Sequence, residues 1–210
     1  MADALLELQA PPATPAAGQS ILFPHLTNGK RWASKDDAGR VLTMPHLYNA
    51  NPADVLANAA DTYLGGSQIA IPTLIQAITV FRWRLAMAKT AAGVAAPTWN
   101  VRVGILGTVA DASRLLFTSP LLQTAVVDNG VVDIMAIFRN AGAACVPSGT
   151  LQMEHLLAAT GLATAAQVLL QVTGAAFDAT VASLIVGLSV NPGAAGAWTH
   201  QIILAEALGI

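Results

Sequence analysis

Residues 81–87 have the sequence Phe-Arg-Trp-Arg-Leu-Ala-Met, with a large apolar side chain at every second position. Successive side chains of a β-strand point to opposite faces of the sheet. The large apolar residues of this stretch therefore share one face, while Arg82 and Arg84 share the other. Such alternation is typical of a strand that covers a hydrophobic core on one side only.

Later stretches repeat this alternation and extend the prediction to a whole domain. Their inward-facing members are predicted to be Trp99, Val101, Val103 and Ile105; Val132, Ile134, Ala136 and Phe138; Leu184, Val186, Leu188 and Val190; and Trp198, His200, Ile202 and Leu204. About eight strands with long-range pairing predict a jelly-roll-like β-sandwich over residues 69–210. The alanine-rich segment 156–170 fits a helix as well as a strand, because periodicity alone does not distinguish them there.

The N-terminal part shows a different pattern, with short apolar runs between turn motifs. Asn28-Gly29 is a strong hairpin motif, because both central residues of a type I′ turn need positive φ. A second turn is expected at residues 36–39, so residues 19–44 are predicted to form a small three-stranded β-meander. A ribbon of this size is marginally stable alone. We therefore expect it to pack against symmetry mates or a partner.

Two further segments complete the predicted organisation, which is all-β. Residues 1–18 are predicted to form an extended arm, since prolines within residues 11–15 end any helix. Residues 45–68 are rich in proline, asparagine and glycine and are predicted to be a linker. Within this linker, Asn51 could cap a short helix that starts at Pro52.

The composition combines a hydrophobic fraction of 54% with a charged fraction of 10% and a net charge of −2. Protein surfaces usually carry roughly a quarter or more charged residues, so part of this surface is expected to be buried in a homo-oligomer. The charge balance gives no electrostatic footprint for nucleic acid. No stretch reaches the roughly 20 consecutive apolar residues of a membrane span, and Asp3 and Glu7 do not fit a signal peptide. We expect a protein made in the cytosol, without nucleic-acid or membrane partners.

Residue spacings typical of catalysis or metal binding do not occur in the sequence. His25, His46, His155 and His200 are far apart and form no HxxxH, CxxC or HExxH pattern. Glu154 precedes His155 on a predicted strand, so the two side chains point to opposite faces. There is no GxSxG elbow and no phosphate-binding glycine loop, and the single cysteine allows no internal disulfide. We expect no enzyme activity, no metal and no cofactor.

Other residues admit two interpretations. Asp111, Asp128, Asp133 and Asp178 lie near predicted turns, where clustered carboxylates could bind calcium. No EF-hand or repeat spacing supports calcium, so turn capping is favoured. Trp99 and Trp198 could be stacking platforms in loops, but their place in the alternation favours the core.

Residues 15–39 resemble a recurrent module of tailed-bacteriophage structural proteins. In that module a PxxG opening is followed by a strand, by a pattern like DGKLYSKDxxG, and by a hydrophobic strand. The corresponding pattern here is Asn28-Gly29-Lys30-Arg31-Trp32-Ala33-Ser34-Lys35-Asp36-Asp37-Ala38-Gly39. Asn28 stands where the module often has Asp, and Trp32 stands where Tyr is usual. Residues 69–206 are similar to the β-sandwich that often follows the module.

The resemblance implies a virion component, typically an oligomer and often a homotrimer, displayed on the capsid or tail. We expect a capsid decoration or head-fibre (cement-type) protein that docks on the major capsid protein or another virion protein. The candidate attachment residues are apolar side chains of the N-terminal region: Leu5, Leu6, Leu8, Ile21, Phe23 and Trp32. The alternative is a tail-fibre or receptor-binding module that recognises a host-surface glycan or protein.

Overall fold

A computed structural model describes residues 13–14, 16–17, 20–25, 31–36, 41–43, 47–57, 61–71, 75, 77–181, 183–194 and 197–208. These residues form fifteen β-strands and no helix. The strands are β1 (Ser20–His25), β2 (Arg31–Asp36), β3 (Val41–Thr43), β4 (Leu47–Ala50), β5 (Val55–Ala57), β6 (Thr62–Tyr63), β7 (Ile69–Ala70), β8 (Thr79–Lys89), β9 (Thr98–Gly104), β10 (Ala112–Thr118), β11 (Asp128–Phe138), β12 (Pro147–His155), β13 (Gln167–Thr173), β14 (Ile185–Asn191) and β15 (Trp198–Leu208). The predicted all-β class is confirmed.

The N-terminal strands form the predicted meander. Strands β1, β2 and β3 make an antiparallel three-stranded sheet in sequence order. The Asn28-Gly29 turn lies outside the described residues, and so does the second predicted turn except for Asp36, which ends β2. Of the predicted arm, residues 13–14 and 16–17 are described; they are exposed and belong to no strand.

The remaining strands form a sandwich of two antiparallel sheets with nested pairing. One sheet has the order β13-β12-β11-β8-β15-β4, with β5 also paired to β15. The other has the order β10-β9-β14-β6, with β7 also paired to β14. The first strands of the sandwich thus pair with the last strand, β15, and the next ones with the penultimate strand, β14. The chain encloses the pairs β8–β11 and β9–β10 in this way, which gives the jelly-roll-like sandwich.

The structure differs from the predicted linker over residues 45–68. Strands β4, β5 and β6 lie in this range, and each pairs with a strand of the sandwich. The predicted helix after Asn51 is absent, because Val55–Ala57 is the strand opposite Trp198–His200. These strands are too short for a period-two pattern to show in the sequence. The segment 156–170 also has no helix: residues 156–166 form a loop, and β13 follows.

The core lies between the two sheets and follows the predicted alternation closely. Phe81, Trp83, Leu85 and Met87 are buried, while Arg82 and Arg84 are exposed. The predicted inward residues of β9, β11 and β14 are buried as well. Ile105 is an exception, since it lies beyond the end of β9 and is exposed.

The alternation fails in the second half of β15. The register shifts between His200 and Ile202, which marks a β-bulge. A bulge inserts one extra residue and reverses the facing of every residue that follows it. Ile202 is therefore exposed and Leu204 only partly buried, whereas Ile203 is buried, opposite to the prediction.

Candidate functional site

The structure places some of the predicted attachment residues and leaves others outside the described residues. Leu5, Leu6 and Leu8 belong to the latter group. Ile21 and Phe23 lie in β1, opposite Lys35 and Ala33 of β2. Trp32 lies in β2 opposite Pro24. The register brings these three strand residues into one small sheet, and their role in attachment stays a prediction.

A groove crosses the outer face of the seven-stranded sheet. Its volume is about 410 Å³, which falls in the range of small-molecule sites. The lining side chains come from strands β8, β11, β12, β13 and β15, and the polar ones include Arg82, Arg84, Asp133, Gln152 and Glu206. These residues share one face because the strand registers align them: Arg84 lies opposite Asp133, which in turn lies opposite Gln152.

The groove combines paired charges with apolar walls. Arg84 Nε lies 3.8 Å from Asp133 Oδ1, and both side chains are more than half exposed. Arg82 stands opposite Glu206, so the lining carries equal numbers of cations and anions. Met135, Leu169 and Leu204 add aliphatic surface. Such a lining offers planar hydrogen-bonding groups beside apolar carbon, which suits an uncharged polar ligand.

A second polar cluster lies on the outer face of the smaller sheet. Arg102 donates to Asp61 Oδ2 and, at 2.7 Å, to Ser189 Oγ. Asp111 accepts hydrogen bonds from the backbone amides of Leu106, Gly107 and Thr108. Asp111 therefore holds the loop after β9, as turn capping predicts. The Asp111 carboxylate is occupied by these contacts, whereas Asp61 Oδ1 is buried without a hydrogen-bond partner among the described residues.

Beside it, the hydroxyl of Tyr63 lies against Gly187, where any Cβ would collide with it. Burial and, to a lesser extent, the nearby Asp111 carboxylate raise the pKa of Tyr63. Tyr63 therefore stays a neutral phenol that covers the middle of β14.

Buried ionisable side chains lie beneath the loops at the far end of β8. His155 Nδ1 lies 2.6 Å from Asp128 Oδ2, and His155 Nε2 lies 2.6 Å from the carbonyl oxygen of Ala165. Both ring nitrogens therefore have an oxygen within hydrogen-bond distance. Lys89 Nζ donates to the carbonyls of Thr90 and Ala92 at 2.8 Å. Sequence reasoning missed the Asp128–His155 pair, because the two residues start and end different strands.

The residues that the sequence analysis considered for catalysis lie in the core or on a sheet surface. Cys145 is buried, and burial raises the pKa of its thiol. Glu154 points away from His155 and accepts hydrogen bonds from Gln152 and Gln167. Among the described residues, no group of three or more His, Cys, Asp or Glu side chains could hold a metal ion.

The sequence analysis favoured turn capping for the aspartates and core positions for the tryptophans, and most of these residues agree. Asp178 caps a turn by accepting from the amide and hydroxyl of Thr180, which lowers the pKa of Asp178. Asp133 differs, since it lies within β11 and faces the groove. Trp99 and Trp198 are fully buried, with ring centres 5.4 Å apart, and so belong to the core.

The fold places the protein in the class of all-β, jelly-roll-like sandwiches. No family model and no curated protein matches the chain. Among solved structures, the legume lectin-like domain from Entamoeba histolytica is similar at 9% sequence identity and a TM-score of 0.27. The similarity covers 79% of this chain and 90% of that chain. In the part of the chain that the structure describes, no helix has the length and apolarity needed to cross a membrane.

Proposed function

We propose that this chain is a structural component of a bacteriophage virion, of the capsid decoration or head-fibre (cement) type. The N-terminal region is the anchor, and the jelly-roll sandwich is the displayed part of a homotrimer. The observation that carries the proposal is the N-terminal module. Residues 15–39 resemble the phage pattern in sequence, and the three strands β1 to β3 form one antiparallel sheet in sequence order, which supports the proposal.

The anchoring mechanism is burial of apolar side chains against another virion protein. Each large apolar side chain that becomes fully buried contributes about 1.5–3 kcal/mol before ordering costs. The candidate residues Leu5, Leu6, Leu8, Ile21, Phe23 and Trp32 provide several such contacts per chain. Linking anchors in an oligomer raises the effective concentration of each one, so modest single contacts give firm attachment.

The proposal is tested by deleting residues 1–44 and purifying the particles made from the genome that encodes the chain. The full chain should co-purify with particles in fixed stoichiometry by mass spectrometry. The deleted chain should fold, because β4 begins at Leu47, but should be absent from particles. A full chain carrying Leu169→Ala, a change on the sandwich surface, is the matched control and should be incorporated. Absence of the full chain from particles, or incorporation of the deleted chain, would contradict the proposal.

The groove on the seven-stranded sheet favours a second candidate function, recognition of a host-surface glycan by a tail-fibre or receptor-binding module. Arg and Asp side chains bind vicinal hydroxyls through two hydrogen bonds each, and aliphatic walls contact the apolar faces of sugar rings. Arg84→Ala and Asp133→Ala should then abolish binding on a glycan array. Asp178→Ala, an exposed carboxylate in the loop after β13, is the control. Binding that survives both groove substitutions would exclude this site.

A further inference from the structure

We propose that one end of the sandwich, the loop crown, is the surface through which copies of this chain associate. The loop crown comprises residues 90–97, 119–127, 156–166, 192–194 and 197. The inference deepens the proposed function and rests on it in one respect, the expectation of a homo-oligomer.

Strand pairing brings the crown loops together at one end. Lys89, at the end of β8, lies opposite both Asp128 at the start of β11 and Trp198 at the start of β15. In the other sheet, Thr98 lies opposite Thr118 and Asn191. The segments that leave or enter these strands therefore share one end of the molecule.

The loop crown contains no charged residue. The sequences of its longer segments are TAAGVAAP, SPLLQTAVV and LLAATGLATAA, and the last part consists of Pro192-Gly193-Ala194 and Ala197, without Asp, Glu, Lys, Arg or His. The opposite end differs, since Arg139 and Asp178 are exposed in its loops. The crown segments therefore form an uncharged part of the surface.

The crown also exposes aliphatic side chains that the fold does not need outside. Leu156 is 77% exposed and Val127 65% exposed. The other exposed large aliphatic residues of the crown are Val94, Leu122 and Val126. Several exposed aliphatic residues at one end of the molecule favour an interaction site there, because large apolar patches are uncommon on monomers.

Hydrogen bonds between the loops hold the crown in one shape. The buried Gln123 side chain donates to the carbonyls of Ala95 and Pro192 at 2.9 and 2.7 Å. Thr124 donates its amide to Gly161, whose amide donates to the Thr124 hydroxyl. A surface that is already ordered loses little conformational entropy when it binds.

Three ionisable residues next to the crown are buried. Asp128 and His155 pair with each other, with side chains that are fully buried. Lys89 is buried too, and its amine donates to crown carbonyls, including Val126 at 3.4 Å. Glu154 is exposed on the outer sheet face, where it accepts hydrogen bonds from two glutamines, and Asp61 pairs with Arg102. The buried contacts hold the crown loops from below.

These features favour a second copy of the chain as the occupant. Copies related by a rotation axis place identical groups close together, so any charge near the axis repels its own counterpart. The crown avoids this cost completely. A strongly charged partner would find no complementary group there. A lipid surface is disfavoured because interfacial binding uses basic and aromatic residues, and the crown segments have neither.

The test compares the mass of the full chain and of exposed-surface variants by light scattering. The wild-type mass should be a multiple of 21.5 kDa. Val127→Arg combined with Leu156→Arg should weaken association by about a hundredfold or more, because each contact then carries like charges. Ile105→Arg is the matched control, since Ile105 is 59% exposed beyond the end of β9, away from the crown and the groove, and should leave the mass unchanged. Thermal unfolding should show that all variants are folded.

Several outcomes would overturn the inference: a monomeric wild type, an unchanged mass in the crown variant, or dissociation by Ile105→Arg alone. Wild-type sedimentation with vesicles of phosphatidylcholine and phosphatidylglycerol, lost in the crown variant, would also overturn it in favour of a membrane. Incorporation into particles is scored separately. A crown-dependent oligomer that is absent from particles refutes the virion proposal and leaves this inference intact.

Discussion

His200 is an ionisable side chain in the hydrophobic core. It is fully buried in β15, with the edge of its ring towards Trp198 at a centre distance of 6.1 Å. Burial lowers its pKa to about 4. The unfolded chain has the ordinary histidine pKa of about 6.5. Between these values the unfolded state binds the extra proton and the folded state does not.

This difference predicts acid-sensitive stability. The depressed pKa means that stability is fully present above pH 6.5 and falls as the pH is lowered towards 4, by about 3 kcal/mol in total. Denaturant unfolding of the wild type and of His200→Leu at pH 7.5 and pH 4.5 measures it. Carboxylates also titrate there, so the relevant quantity is the change in the difference between the two proteins. Parallel pH profiles would contradict the prediction, because they would mean that His200 has the same pKa in the folded and unfolded states.

Gln123 joins the crown loops to the core. Its carbonyl oxygen accepts a hydrogen bond from Trp198 Nε1 at 2.8 Å, and its amide donates to two loop carbonyls. Gln123→Leu would leave all three partners unsatisfied, so we expect a loss of about 3 kcal/mol or more in unfolding free energy. Gln152→Leu on the exposed sheet face should cost no more than about 0.5 kcal/mol. Equal effects in chemical denaturation would argue against this role.

The bulge in β15 shows how an element can depart from its own sequence pattern. Asn51 satisfies the backbone there: its side-chain oxygen accepts from Ile203 N at 2.6 Å, and its amide donates to Gln201 O at 3.2 Å. Asn51, which the sequence suggested as a helix cap, thus stabilises an extra residue in a distant strand. Gly66 allows Asn51 to lie in this position. Its φ of 91° favours glycine, and a Cβ there would collide with the Asn51 backbone.

The bulge and an uninterrupted alternation predict opposite effects of substitutions at Ile202 and Ile203. Ile203→Ala should lower the unfolding free energy by about 2–5 kcal/mol, since Ile203 is buried. Ile202→Ala should change it by no more than about 0.5 kcal/mol, since Ile202 is exposed. Urea denaturation of the pair is its own control, because residue type and strand are the same. A larger effect at Ile202 would mean that the strand continues without a bulge.

The elements differ in how far the sequence could predict them. Long strands such as β8 and β11 alternate clearly enough for their buried faces to be predicted correctly. The meander followed from its turn motifs, of which Asn28-Gly29 is the strongest. Strands β6 and β7 have two residues each, too few for any period. The groove and the Asp128–His155 pair arise from strands distant in sequence, so only the register could reveal them.

At the scale of the whole molecule, the nested pairing makes the segment 47–57 part of the sandwich. Strand β15 lies between β8 on one side and β4 and β5 on the other. Ala57, at the end of β5, is fully buried in the core. Strands β1 to β3, by contrast, pair only with one another among the described residues. The sandwich therefore includes β4 and β5, and we expect the segment predicted as a linker to contribute to stability.

Two truncations distinguish a linker from a structural segment. A chain of residues 45–210 should keep a melting temperature within a few degrees of the full chain, because every strand of both large sheets is retained. A chain of residues 61–210 lacks β4, β5 and Asn51. It leaves β15 as an open edge and should melt at least about 10 °C lower, or fail to fold, from the loss of several kcal/mol. Calorimetry measures both. If residues 45–68 only connected two units, both truncated chains would have the same melting temperature. The pairing of β4 and β5 with β15 would then contribute nothing to stability.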